Sequence, residues 1–220
     1  MNRVLPAGPR RATEATEAPT TAPQSDTGAP PLDSAIIRAS LAEPERFAAL
    51  FDRHAPVIYR YLARRAGSEA ADDLTAETFL AAFRRRDSYN LTCTDARPWL
   101  YGVATRVLAQ HRREDARQLR IRLAAIPDLN DPGHGDRVAG DLTAAATRSA
   151  LAEGLASLPA RDRDVLLLIA WEQLTYDEVA RALNIPVGTV RSRLNRARVR
   201  LRSALAGTEL SATIKEVLDR

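Results

Sequence analysis

The sequence predicts an all-α protein: two small helical domains joined by a flexible linker, the C-terminal one a helix-turn-helix domain. Three observations predict it. Apolar residues recur at helical spacing in two blocks, and no strand-like alternation of β-branched residues interrupts them. Segments dense in Pro, Gly and small polar residues separate the blocks. A capping sequence, a short turn and an arginine-rich helix follow one another near the C-terminus.

Residues 1–33 hold Pro6, Pro9, Pro19, Pro23, Pro30 and Pro31 among Ala, Thr, Ser and Gly, with few large aliphatics. Such a segment buries too little surface to offset its ordering entropy, so a disordered arm is expected. The first domain is expected over 34–122. Phe47, Leu50, Phe51, His54, Ile58, Tyr61 and Leu62 share a helical face, with Pro56 expected to kink it. Gly67 ends that helix, and Ser68 is expected as the N-cap of the next, which carries Leu74, Thr78, Phe79, Ala82 and Phe83. A polar loop, 87–94, leads to a long helix over about 95–117. A flexible linker is expected over 123–145, around Pro127, Asn130, Asp131, Pro132, Gly133 and Gly135. The second domain is expected over 146–206, with helices near 142–157, 160–171, 176–183 and 187–205, and a short tail over 207–220.

The sharpest local signal is Leu174-Thr175-Tyr176-Asp177-Glu178-Val179. Thr175 is placed as an N-cap, Glu178 closes the box from the third helical position, and Leu174 and Val179 form a hydrophobic staple. Asn184 suits the left-handed turn that follows, and Pro186 suits the start of a new helix. At ~100° per residue, Val190, Leu194, Ala197 and Leu201 make a core stripe, with Ser192, Asn195 and Arg196 opposite. From 187 to 206 there are six arginines and no acid. A solvated helix interleaves both signs, so this helix suits a polyanion, although an arginine-biased genome would also enrich it.

On the long helix, Leu100, Ala104, Val107, Leu108 and His111 should face inward. Trp99, Val103, Arg106, Gln110, Arg113 and Arg117 form another stripe, aromatic at one end and basic at the other, as melted nucleic acid requires. Periodicity alone leaves Trp99 equally readable as a core residue. Composition fits a polyanion partner: 32 Lys+Arg against 28 Asp+Glu give +4, and Lys215 is the one lysine. Cys93 stands alone, which excludes an internal disulfide and a cysteine-based zinc site, and suits a reducing cytoplasm. No apolar run reaches 18 residues, and the N-terminus has no signal-peptide core, so no membrane contact is expected. Glu69, Asp72, Asp73 and Glu77 share a helix without Glu-x-x-His partners, so first-turn acids or a docking face explain them better than a metal site. No catalytic residue, metal or cofactor is expected.

Taken together, the chain resembles the extracytoplasmic-function group of the bacterial sigma-70 family. Residues 71–79 followed by Ala82-Phe83-Arg84 are similar to that family's D-L-x-Q-E-T-F-x-x-A-W stretch, and 97–105 to its R-x-W-L-x-x-I-A segment. Residues 188–198 are similar to its G-T-V-x-S-R-L-x-R-A-R recognition helix. The chain departs at Ala76 for Gln, Phe83 for Trp, Arg106 for Asn and Asn184 for Gly. The resemblance implies core RNA polymerase as partner, met through the β′ clamp helices and the β flap, with promoter DNA and an anti-sigma protein as further partners. It places Asp73, Leu74, Glu77, Thr78 and Phe79 in the polymerase-docking segment. Tyr89, Asn90, Trp99, Arg106, Gln110 and Arg113 would meet the −10 element. Thr175, Tyr176, Thr189, Arg191, Ser192, Arg193, Asn195, Arg196 and Arg200 would meet the −35 element. Two rival readings remain: a dimeric helix-turn-helix regulator that binds operator DNA without polymerase, and a carboxylate metalloprotein built on 69–77.

Overall fold

The computed structural model describes residues 31–124 and 142–205. The expected arm up to residue 30, the linker core over 125–141 and the tail beyond 205 lie outside the described residues. Among the described residues all regular structure is helical: α1 (Asp33–Ala42), α2 (Ala48–Ala66), α3 (Ser68–Arg84), α4 (Arg97–Ala124), α5 (Leu142–Ser157), α6 (Ala160–Ala170), α7 (Tyr176–Leu183) and α8 (Val187–Ala204), with 3-10 turns at Pro44–Phe47 and Arg86–Ser88. None of these helices is long and apolar enough to cross a membrane.

The first four helices close over Ile37, Leu50, Ile58, Leu62, Leu74, Phe79, Leu100 and Leu108, all buried. Pro56 lies inside α2 rather than ending it. Gly67 (φ +88°) ends α2 in a backbone region that a side chain would strain, its N–H bonding the Ala63 carbonyl at 2.9 Å. Ser68, expected as a cap, is instead the first residue of α3, and no side chain caps that helix. Phe51 shares the spacing of the core residues yet stays 43% exposed, edge-on to Phe79.

Asp33 shows why the first domain begins where it does. The sequence places it at the end of the arm, but it is the buried first residue of α1. Its carboxylate accepts from Arg53 Nη1 at 2.5 Å and the Ala96 N–H at 2.8 Å, and lies 2.7 Å from His54 Nε2. One side chain thus ties α1 to α2 and to the loop before α4. Burial alone would raise its pKa, but the bonds from His54, Ala96 and Arg53 outweigh it and hold the group at about 2.

In the second half, Val165, Leu168, Leu174, Val179, Val190, Leu194, Ala197 and Leu201 are buried together. The α8 stripe is the one the sequence predicts. Thr175 Oγ1 accepts from the Glu178 N–H while a Glu178 carboxylate oxygen accepts from the Thr175 N–H at 2.7 Å, completing the capping box. Asn184 takes the left-handed conformation (φ 52°, ψ 54°) between α7 and α8.

Asp33→Ala should cost roughly 3 kcal/mol, because it strips a buried charge from Arg53 and His54. Urea denaturation checks this. A carboxyl held near 2 against an ordinary 3.8 contributes fully above about pH 4 and loses that contribution as pH falls toward 2. The stability gap between wild type and variant should therefore narrow across that window; a gap constant with pH would contradict the assignment.

Candidate nucleic-acid interface

Because the apolar stripe of α8 is buried, the residues opposite it point outward. Arg191, Ser192, Asn195, Arg196 and Arg200 are exposed, while Thr189 and Arg193 are half-buried. Two of the arginines are already engaged. Buried Asp162, on α6, accepts from Arg196 Nε and Nη2 at 3.3 and 3.2 Å and lies 3.6 Å from Arg200 Nη1. Asp162 holds these side chains along the flank of α8, leaving Arg191 and Asn195 to lead its outer arc. Ser192 Oγ donates to the Thr189 carbonyl. Thr175 spends its hydroxyl on the capping box, and Tyr176 is half-buried beside it.

The stripe on α4 divides by burial. Trp99 is half-buried, Val103 is buried, and Arg106, Gln110 and Arg113 are exposed. Gln110 accepts from Arg113 Nη2 at 2.9 Å. These three line a groove of about 270 Å³ with Glu77, Ala81 and Arg85. Arg85, on the loop after α3, was not singled out by the sequence because its partner lies on another element. Burial and the Arg85 charge together push the Arg106 guanidinium below its ordinary pKa, although Glu77 also lines the groove. His111, expected inward, is half-buried and faces Asp115 at 3.2 Å.

Tyr89 departs from the expectation that both Tyr89 and Asn90 present themselves to solvent and so to DNA. Tyr89 is buried, packs edge-on against Trp99 (centroids 5.0 Å apart) and donates to the Cys93 and Asp95 carbonyls at 2.7 and 3.2 Å. It props the loop from within. Asn90 is exposed, but its Oδ1 accepts from the Thr92 N–H and hydroxyl, forming an Asx turn. A pocket of about 360 Å³ opens here, lined by Asn90, Tyr89, Cys93, Trp99 and, from the second half, Arg181 and Asn184.

On α3 the five docking candidates separate by face. Asp73 and Glu77 are exposed, whereas Leu74, Thr78 and Phe79 are buried, and Thr78 donates to the Leu74 carbonyl. The last three build the core that holds the two acids outward. Leu80, 48% exposed, continues that outer face. Among the described residues, the carboxylate-rich cluster that a metal could address is elsewhere: Asp33, His54 and Asp95 bring ligand atoms within 4.8 Å of one another. Arg53 already fills one side of Asp33, so the cluster reads as a structural knot.

Comparisons with known proteins agree with this layout. The family model for sigma-70 region 2 matches residues 50–118, and that for sigma-70 region 4 matches 148–201. The chain is 34% identical to the ECF RNA polymerase sigma factor SigE of Mycolicibacterium smegmatis over 71% of its own length and 60% of that protein's. It is 26% identical to BldN of Streptomyces coelicolor, covering 66% of it, so the chain spans about two thirds or less of these two relatives. Against SigL of Mycobacterium tuberculosis the identity is 33%, over 76% of this chain and 93% of that protein. The fold is similar to that of CnrH, solved with the cytosolic domain of CnrY (TM-score 0.54, 22% identity, 79% of this chain and 96% of that one). It is similar also to that of the sigma factor RpoE solved with the anti-sigma factor NepR from Bartonella quintana (TM-score 0.53, 20% identity, 73% and 97%). With both regions in the family's order and the likeness to SigL running over nearly that protein's whole length, the chain belongs to the extracytoplasmic-function group of the sigma-70 family.

Proposed function

We propose that this chain is a sigma factor in action as well as in family: a non-catalytic subunit that joins core RNA polymerase in the cytoplasm, reads the −35 and −10 elements of promoters and helps the DNA open. The observation that carries this reading is the presence of two outward, arginine-bearing surfaces of different design in one chain. The outer arc of α8 is a rigid helix with outward Arg191 and Asn195, suited to base edges in a major groove. The Arg85–Arg106–Arg113 groove with Trp99 beyond it suits a backbone whose bases have unstacked. A regulator that only binds duplex operator DNA has use for the first surface and none for the second.

Roles follow residue by residue. Arg191, Ser192 and Asn195 read the −35 element, with Arg196 aligned by Asp162; Arg193 and Arg200, with Thr175, Tyr176 and Thr189, meet phosphates alongside. Arg106, Gln110 and Arg113 hold the −10 strand, and Trp99 and Asn90 receive it at the loop, with Tyr89 as the prop behind them. Asp73 and Glu77, held out by Leu74, Thr78 and Phe79, meet the β′ clamp helices, and the second domain meets the β flap. An anti-sigma protein is a further partner, as NepR is for the sigma factor RpoE it was solved with.

Run-off transcription from a genomic promoter library tests the whole reading. Core enzyme with this chain should give discrete transcripts that core alone does not; operator binding without transcription would favour the regulator. Arg113→Ala should lower affinity evenly across sequences and reduce the salt slope by about 1, as loss of a phosphate contact does; binding titrations from low to high salt check it. Arg191→Ala should instead relax −35 preference, costing ~1–3 kcal/mol on the preferred site. Tyr89→Phe keeps the ring and loses two hydrogen bonds, so stability should fall by about 1 kcal/mol and amide exchange in 88–95 should quicken. Asn90→Ala should shift −10 preference with the core intact.

A further inference from the structure

The two halves of the chain meet along α4. Helix α7 packs on it so closely that a Cβ on Gly102 would stand 2.1 Å from the Ala182 carbonyl oxygen. Further along α4, where the start of α6 comes alongside, a cavity of about 360 Å³ opens. Arg65 of α2, Arg112 and Arg113 of α4 and Arg161 of α6 stand on its walls, with Leu108 as an apolar face. Asp164 is the one acid among the lining residues, and it is already paired with Arg65. Promoter reading uses neither Arg65, Arg112 nor Arg161.

The cations here are more crowded than their partners account for. The Arg65 side chain is 2% exposed and donates to the Tyr61 hydroxyl at 2.5 Å. Its Nε–H is nevertheless buried without an acceptor among the described residues. Arg112, half-buried, donates to the Arg65 carbonyl at 2.8 Å and has no acid partner among the described residues. Exposed Arg161 has none either. Burial first, then the charges of Arg65 and Arg163, push the Arg112 guanidinium below its ordinary pKa, against a smaller pull from Asp164 and Tyr61. Like charges held together away from water cost free energy, and a bound anion relieves that cost. Ala160 and Arg161 open α6, which no side chain caps, and its first-turn acid Asp162 is turned to Arg196 and Arg200. The positive end of that helix dipole adds to the arginines.

We propose that this cavity binds a small solute ending in two or more linked phosphates, held by Arg161 and Arg112 at its mouth and Arg65 at its base. The planar guanidinium fork matches phosphate oxygens in pairs, which an ammonium does not. Three arginines from three helices outnumber what one phosphate can engage, so linked phosphates fit them better. Ligand sites run to about 300–1,000 Å³, and this one is at the small end, with room for a diphosphate and little more. An internal phosphodiester of a nucleic acid is tethered on both sides and is kept off the buried Arg65, whereas a phosphate at a free end is not. This site stands apart from the promoter-reading surfaces and does not depend on them.

Isothermal titration of the full chain with pyrophosphate at ~0.15 M salt, which screens diffuse surface attraction, tests this. One saturable site per chain is expected. Arg161→Gln and Arg112→Gln should each weaken it by about tenfold or more with unchanged far-UV circular dichroism, as loss of a charge-assisted bond does. Arg161 is exposed and makes no side-chain bond among the described residues, so its variant keeps the fold even where Arg112→Gln does not. Arg38→Gln removes an exposed charge from α1 and should bind as the wild type does. Competition separates two sources of the same chemistry. Displacement by adenosine diphosphate assigns the site to nucleotides, and its failure to displace bound pyrophosphate assigns the site to inorganic diphosphate. Absence of saturable binding overturns the proposal, as does a site that Arg161→Gln weakens no more than Arg38→Gln. If Arg161→Gln weakens binding of a hydroxyl-ended 12-nucleotide DNA strand as much as it weakens pyrophosphate, the cavity is a nucleic-acid backbone site and the proposal falls.

Discussion

Helix α4 must present a different chemistry at every ~100° step, and the other elements are arranged around that constraint. Leu100, Ala104, Val107 and Leu108 carry the core of the first domain. Tyr101, Gly102 and Thr105 meet the second half or the residues that hold it. Arg106, Gln110 and Arg113 remain exposed, and it is there that we propose DNA is met. A helix so divided cannot shift in register or rotate without exposing apolar surface or burying charge, and either costs more than a small domain can spare.

The polar groups that decide the architecture are few, and they are buried or half-buried. Asp33 ties the start of α1 to α2 and to the loop before α4. Asp162 sets two arginines along α8. Asp164 and Glu172 meet Arg65, Arg64 and Tyr101 across the two halves. Each is a carboxylate surrounded by donors, and an apolar side chain in its place would leave those donors unpaired, Arg65 among them in a dry site. Such groups specify one arrangement among several of comparable apolar burial.

What could be read from sequence was what neighbours decide. Thr175 and Glu178 are three residues apart, Asn184 needs only its own backbone, and the α8 stripe follows from periodicity, so the helix-turn-helix emerges intact. What escaped was settled at long range. Tyr89 looks like an exposed loop aromatic until Trp99 and two carbonyls enclose it. Leu74, Thr78 and Phe79 share a motif with Asp73 and Glu77, but a motif has no inside or outside until α2 and α4 cover one face. Asp33 belongs to the first domain through Ala96, 63 residues on. Arg85 joins Arg106 only because α3 and α4 are side by side, and Gly102 carries no signal until Ala182 arrives.

Site-specific photo-crosslinking tests the division of α4 most directly. A photoreactive side chain is placed in turn at Arg106, Gln110, Arg113 and Asp115, the last exposed on the side of the helix opposite Arg106. Each protein is assembled with core polymerase on forked promoter DNA and irradiated. The first three positions should label the −10 strand and Asp115 should not. Equal labelling from Asp115, or none from the other three, would contradict the assignment of the DNA-facing side of α4.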